Sequence, residues 1–226
     1  MQKHRIFIAV NLPEKIRNKL AGYKEKWPGL PARWTNPENL HITLAFIGYA
    51  SDEELVEACE IAKKVAEKHN PFSVNINKIC YGPKNKPAYI NENEARQNFL
   101  KSSPSFVKAL DDRSDDCSFS ENKPPRMVWA TGKKSKEFST LKNDLDDLLL
   151  ESQKIRFSAD SKEFSSHITL ARIRAWEWLK IEPEERPEID EDIDMNFFID
   201  STEVMESELK RGGSKYEIIE SFSFES

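Results

Sequence analysis

The pentapeptide His-Ile-Thr-Leu-Ala stands at His41–Ala45 and again at His167–Ala171, in a chain of 226 residues that holds only four histidines. On an extended strand successive side chains point to opposite faces, so each repeat presents His and Thr on one face and Ile and Leu on the other. Imidazole titrates near neutrality, so of two such rings one can give a proton while the other takes one. In-line displacement at phosphorus asks for that division, with a base on the attacking oxygen at one apex and an acid on the leaving oxygen at the other. The hydroxyls of Thr43 and Thr169, about 6.6 Å along each strand from their histidines, suit the non-bridging oxygens where charge gathers. Two histidines can also bind a metal, but neither repeat carries Asp, Glu or Cys on the same face. A single copy would read as an ordinary half-buried strand. Two unrelated core strands have no physical reason to agree on both polar residues, so the repetition points to chemistry.

The elements that carry these strands follow from periodicity. Ile6–Leu12 reads as a buried strand, and Pro13 opens an amphipathic helix to Trp27 with Ile16, Leu20 and Tyr23 on one stripe. The chain runs extended through Arg33 and Trp34, turns at Asn36-Pro37, and enters the first repeat, a strand that Gly48 ends. Ser51 and Glu54 form a capping box for a helix to about His69. Phe72, Val74 and Ile76 alternate as a strand. From about residue 83 to 125, prolines, acidic residues and short apolar patches interrupt the rhythm, and this stretch reads as an insertion or lid. A strand at Arg126–Thr131, a helix at Lys136–Ser152 and a strand at Phe164–Arg174 bring in the second repeat. Glu182–Asp194 reads as an acidic loop, and Val204–Leu209 with Tyr216–Phe224 reads as a hairpin about Gly212-Gly213. Strand, helix and strand thus occur in both halves. The expected architecture is α+β: two pseudo-symmetric lobes, each an antiparallel-rich sheet with helices outside, forming one bilobal domain over 1–226 with a central cleft that holds both repeats.

Composition narrows the classes. Hydrophobic residues make up 38% and charged residues 32%, with a net charge of −5. That balance excludes a broad basic surface that coats nucleic acid, though not a small cleft that grips one phosphate. Cys59, Cys80 and Cys117 are odd in number and lack CxxC spacing, so they read as reduced thiols. With no signal-peptide pattern at the start and no apolar run of bilayer length, a cytoplasmic protein is expected. Nothing in the sequence points to an oligomer, and a monomer is expected.

The ordered set Arg5–Pro13, Arg33-Trp34, Pro37–Gly48, Pro125–Ala130, His167–Arg172 and Glu206–Phe222 resembles the two-histidine (2H) phosphoesterases. Within them it is similar to the RNA 2′,3′-cyclic phosphodiesterases, also called 2′-5′ RNA ligases. The resemblance implies hydrolysis of a 2′,3′-cyclic phosphate at an RNA end, tRNA fragments included, to a 2′-phosphomonoester with no metal or nucleotide cofactor. Carried over by position, His41 is the proton donor and His167 the proton acceptor, although the near-symmetry leaves either ring open to either part. Thr43 and Thr169 would hold the phosphate. Arg172 would add a cation, provided a bulge brings it to the histidine face, and Phe46, at the matching position of the first repeat, would line a base pocket. Trp34 and Trp129 are candidate base-stacking residues or core, Arg33 and Arg126 candidate cations near the cleft, and His4 and His69 read as surface residues. Ala45 stands where the family usually has Lys. That change and the long insertion leave two other readings open: a small nucleotide-derived cyclic phosphate as substrate, or a module that binds RNA ends without turnover.

Overall fold

Alternation of apolar and polar residues along each strand lets a sheet bury one face and leave the other to solvent. Ile6, Ile8 and Val10, Ile42 and Leu44, Val128 and Ala130, and Ile168 and Leu170 all enter one continuous buried cluster. Burying each of the larger ones contributes about 1.5–3 kcal/mol, so a one-residue slip that turned them to water would be prohibitive, and the face on which His41, Thr43, His167 and Thr169 lie is fixed.

The computed structural model describes residues 3–83, 124–159, 164–211 and 213–225. Nearly all of the segment read as an insertion, Cys117 included, and Gly212 of the hairpin turn lie outside the described residues. In chain order the elements are β1 (His4–Asn11), α1 (Glu14–Gly22), β2 (Ala32–Trp34), β3 (His41–Ala50), α2 (Asp52–Ala66), β4 (Phe72–Gly82), β5 (Met127–Gly132), α3 (Lys136–Glu151), β6 (His167–Ile173), α4 (Ala175–Trp178), β7 (Asp190–Ile199), β8 (Ser201–Lys210) and β9 (Gly213–Ser223). The capping box at Ser51 and Glu54 is formed.

Among the described residues the strands make one antiparallel sheet in the order β7-β4-β5-β6-β3-β1-β8-β9, with β2 also paired to β6. One lobe, β3-β1-β8-β9, uses strands from both ends of the chain, and the other, β6-β5-β4-β7, uses its middle. They meet at a single bridge, Ile42 opposite Ile168, the central residue of each His-Ile-Thr triplet. Helices α2 and α3 pack on each other, α2 also against β1, β8 and β9 and α3 against β3. Their buried residues, Ile61 and Val65 of α2 and Phe138, Leu141, Leu145 and Leu149 of α3, join the same cluster. Helices therefore cover one face and the histidines occupy the other, so the α+β class and the two-lobed plan are borne out.

Three expectations need correction. The acidic stretch at 182–194 is a loop only to Ile189. From Asp190 it is the edge strand β7, whose Met195, Phe197 and Ile199 are buried while Asn196 and Phe198 are exposed. Gly48 does not end β3: it takes a φ of 88° at a register shift, and the strand runs on to Ala50. A positive φ of this kind is cheap only for glycine. His4 and His69 are not free surface residues. The His4 ring lies between Glu206 and Asp52 at 2.9 and 3.0 Å, and His69 pairs with Asp144 at 2.9 Å. Of the two readings left open for Trp34, the core one holds: its ring packs against the core and stacks on Trp27 at 6.3 Å.

Candidate functional site

The two histidine strands are copies in three dimensions. Against β1, β3 pairs Asn11 with His41, Val10 with Ile42, Ala9 with Thr43, Ile8 with Ala45 and Phe7 with Phe46. Against β5, β6 pairs Thr131 with His167, Ala130 with Ile168, Trp129 with Thr169, Val128 with Ala171 and Met127 with Arg172. Over these pairs each register skips one residue, Leu44 in one strand and Leu170 in the other. Both strands then show the same burial sequence over seven residues, half-buried His and Thr, buried Ile, Leu and Ala, and an exposed sixth residue.

That shared bulge decides where Phe46 and Arg172 lie. Strict alternation would send both to the core; an extra residue reverses the parity. Arg172 Nη1 and Thr169 Oγ1 both lie against the Met127 sulfur, at 3.9 and 4.0 Å, so all three share the histidine face. Phe46 is 69% exposed, with its ring 6.0 Å from that of Phe7, which in turn is 5.0 Å from the His41 ring. Ala45 and its counterpart Ala171 are buried in the core. Having Ala at position 45 therefore removes no cation from the cleft.

Both imidazoles are held alike. His41 Nδ1 donates to the Asn39 carbonyl at 2.8 Å, and His167 Nδ1 donates to the Ser165 carbonyl at 2.9 Å. A carbonyl only accepts, so the proton sits on Nδ1 in each neutral ring and Nε2 is the nitrogen left for chemistry. The Thr43 hydroxyl donates to His41 Nε2 at 3.0 Å. Burial pushes the His41 imidazole down to about 4, against the Asn39 bond that favours the cation and with a smaller lowering from His167. Burial also lowers His167, opposed by its bond to Ser165. Both rings are accordingly neutral near pH 7.

The surroundings break the symmetry. On the His41 side, Tyr216 from β9 meets the ring edge-on at 5.3 Å and Phe7 at 5.1 Å, which means that the β8–β9 hairpin curls back over the cleft. The Asn39 amide donates to the Ser214 carbonyl at 2.8 Å and ties down the same hairpin. On the His167 side, Trp129 stacks on the imidazole at 3.9 Å and 27°. The indole lies on Gly82, where a Cβ would fall inside its van der Waals envelope. Ala9 takes the place of Trp129 in the first lobe, so only one histidine has an indole floor.

The structure thus brings together His41, Thr43, Phe46, His167, Thr169 and Arg172, and leaves Trp34 elsewhere. Sequence reasoning missed Tyr216 and Phe7, for which the strand pattern carries no signal because curling of the sheet creates their contacts. It also missed the carbonyls two residues before each histidine, a spacing that could have been tested. Among the described residues no group of three or more His, Cys, Asp or Glu is placed to hold a metal ion, and no helix is long and apolar enough to cross a membrane.

Comparison with known proteins agrees with this geometry. The family described as LigT like Phosphoesterase matches residues 7–89. An RNA 2′,3′-cyclic phosphodiesterase of Thermus thermophilus is 27% identical over 225 residues, covering 97% of this chain and 89% of the relative. That of Geobacillus stearothermophilus is 25% identical over 174 residues, 76% of this chain, and this chain spans only 43% of that relative's length. Among solved structures, TT0787 of Thermus thermophilus superposes with a TM-score of 0.69 at 24% identity over 97% of both chains. LigT of E. coli complexed with 3′-AMP gives 0.66 at 19% identity over the full length of both. The curled antiparallel sheet with its helices is the fold these structures share.

Proposed function

We propose, from the premise that this chain resembles the LigT-like phosphoesterases in motif, sequence and fold, that it hydrolyses 2′,3′-cyclic phosphate ends of RNA to 2′-phosphomonoesters. His167 Nε2 takes a proton from the attacking water, and the new oxygen–phosphorus bond forms in line with the bond to the 3′ oxygen. That bond breaks as His41 Nε2–H delivers a proton to the departing oxygen. The hydroxyls of Thr43 and Thr169 and the guanidinium of Arg172 hold the non-bridging oxygens where negative charge builds.

The observation that carries the reading is the pair of matched strands, each with its ring anchored through Nδ1 and its Nε2 left for chemistry, joined at Ile42–Ile168. Residues diagonal across an antiparallel pair are about 7–8 Å apart, room for one phosphate between the two nitrogens. The assignment of acid and base rests on polarity along the cleft. Phe46, Phe7 and Tyr216 make an apolar wall on the His41 side that suits the nucleoside, and Arg172 stands on the His167 side. A ribose seated against that wall puts its leaving oxygen next to His41 and leaves the opposite apex to water. The empty site does not favour a charged His41; the phosphate anion must supply the attraction that protonates it.

The test is turnover of an oligonucleotide with a 2′,3′-cyclic phosphate end in the presence of EDTA, with the product position assigned. His41→Asn and His167→Asn should each lower kcat by at least about 100-fold while melting near the parent temperature. A substrate with sulfur at the leaving 3′ position needs little protonation and should restore only the His41 variant. Rescue of the His167 variant instead would exchange the roles, and loss of turnover on chelation would end the metal-independent mechanism.

A further inference from the structure

We infer that Arg33 and Arg172 together form a second phosphate site, so that the substrate is an oligonucleotide carrying a further phosphodiester rather than a nucleoside cyclic phosphate; this rests on the reading of the histidine site just given. The two arginines are direct cross-strand partners, Arg33 of β2 opposite Arg172 of β6. Trp34 and Ala171, the adjacent pair, belong to the core, so alternation turns Arg33 and Arg172 to the histidine face. Arg172 is tied to Thr169 through Met127. Arg33 Nη1 reaches the start of the β8–β9 hairpin, within 3.9 Å of where a Gly213 Cβ would be.

Like charges placed directly opposite one another on a sheet repel. Both arginines are exposed, and among the described residues neither forms an ion pair with a carboxylate, whereas Arg174, two residues on, is paired with Glu177. Two arginines paired across adjacent strands, neither with a carboxylate partner among the described residues, make an arrangement that an anion completes, and planar two-donor groups match phosphate oxygens. Arg172 is the next residue of β6 after Thr169 on the histidine face, and Arg33 lies beyond it, outside the reacting centre. Arg172 is shared between the two phosphates, and Arg33 serves only the outer one.

Two measurements test this. The first compares kcat/KM for a dinucleotide ending in a 2′,3′-cyclic phosphate with that for the corresponding nucleoside 2′,3′-cyclic phosphate. The parent should favour the dinucleotide by about tenfold or more, a factor set by one charge-assisted contact, and Arg33→Gln should cut that ratio at least fivefold, with Arg33→Lys between them. An unchanged ratio, whether both rates hold or both fall, overturns the proposal, as does a parent without preference. The second is equilibrium binding of an oligonucleotide ending in a 2′-phosphomonoester, which requires no turnover. Arg33→Gln should reduce the salt dependence, the slope of log K against log salt, by about 0.7. An unchanged slope overturns the site. A reduced slope in a protein that turns over neither substrate upholds it and defeats the hydrolytic reading.

Discussion

Placing both imidazoles in half-buried positions has a cost in protonation that rate and stability should each report. Because burial lowers both histidines, a protonated imidazole is scarce in the free protein at neutral pH. The profile of kcat/KM, which reflects the free protein, should therefore peak below pH 6.5. Its alkaline limb should fall earlier than that of kcat, where bound phosphate raises the acid. A kcat/KM optimum at pH 8 would contradict this. For stability the sign is opposite to that of a paired histidine. The folded state holds His41 deprotonated down to about pH 4 while an unfolded chain takes the proton near 6.5, so stability is lost as pH falls through that interval. His41→Asn should then melt closer to the parent, or above it, at pH 4.5 than at pH 8. The residues of the candidate site were legible from the repeat. Their pKa shifts were not, because burial is a property of the whole fold.

At the level of strands, one inserted residue does most of the sorting. The bulges at Leu44 and Leu170 bring Phe46 and Arg172 to the histidine face. The sequence reading could name that need for Arg172 but could not locate a bulge, which leaves no compositional mark when the extra residue is an ordinary leucine. Strand β7 was missed for a different reason: its exposed acidic positions masked the alternation of Met195, Phe197 and Ile199. The contact of β5 with β4 gives a prediction. Gly82 leaves room for the Trp129 indole that floors His167, so Gly82→Ala must displace the ring, at a cost of about 1–3 kcal/mol in stability. Activity should fall with it, and the pH profile of the remaining activity should move because imidazolium loses its aromatic partner. A Gly82→Ala variant with parental kcat and pH profile would show the stack to be incidental.

Across the whole molecule the chain exchanges strands between its halves. β4 leaves the first half to pair with β5 and β7, and β8 returns to pair with β1. Sequence duplication suggested a lobe from each half; the actual crossing is a tertiary choice that local pattern does not encode. The first lobe draws on both ends of the chain and can close only across the second, which lies between them in sequence, so calorimetric unfolding should be a single transition, and two resolved transitions would argue against it. His4 belongs to this scale, since it ties β1 to Glu206 of β8 and to Asp52 at the start of α2. Its hydrogen bonds to Glu206 first and Asp52 second raise its pKa. The folded state therefore gains stability that is fully present below the ordinary value of 6.5 and is lost as pH rises through the higher folded value. The melting gap between the parent and His4→Gln should be wider at pH 6 than at pH 9, and equal gaps would show the tie to be inert.

The contact of Ile42 with Ile168 has one more consequence. Because the two histidine strands are joined in the sheet by one residue pair, the gap between the two rings is a mechanical setting of that seam. Trimming or enlarging those two isoleucines should widen or narrow that gap without changing any side chain of the candidate site, which makes a pair of greasy, hidden side chains the natural dial for accepting a bulkier or smaller ester.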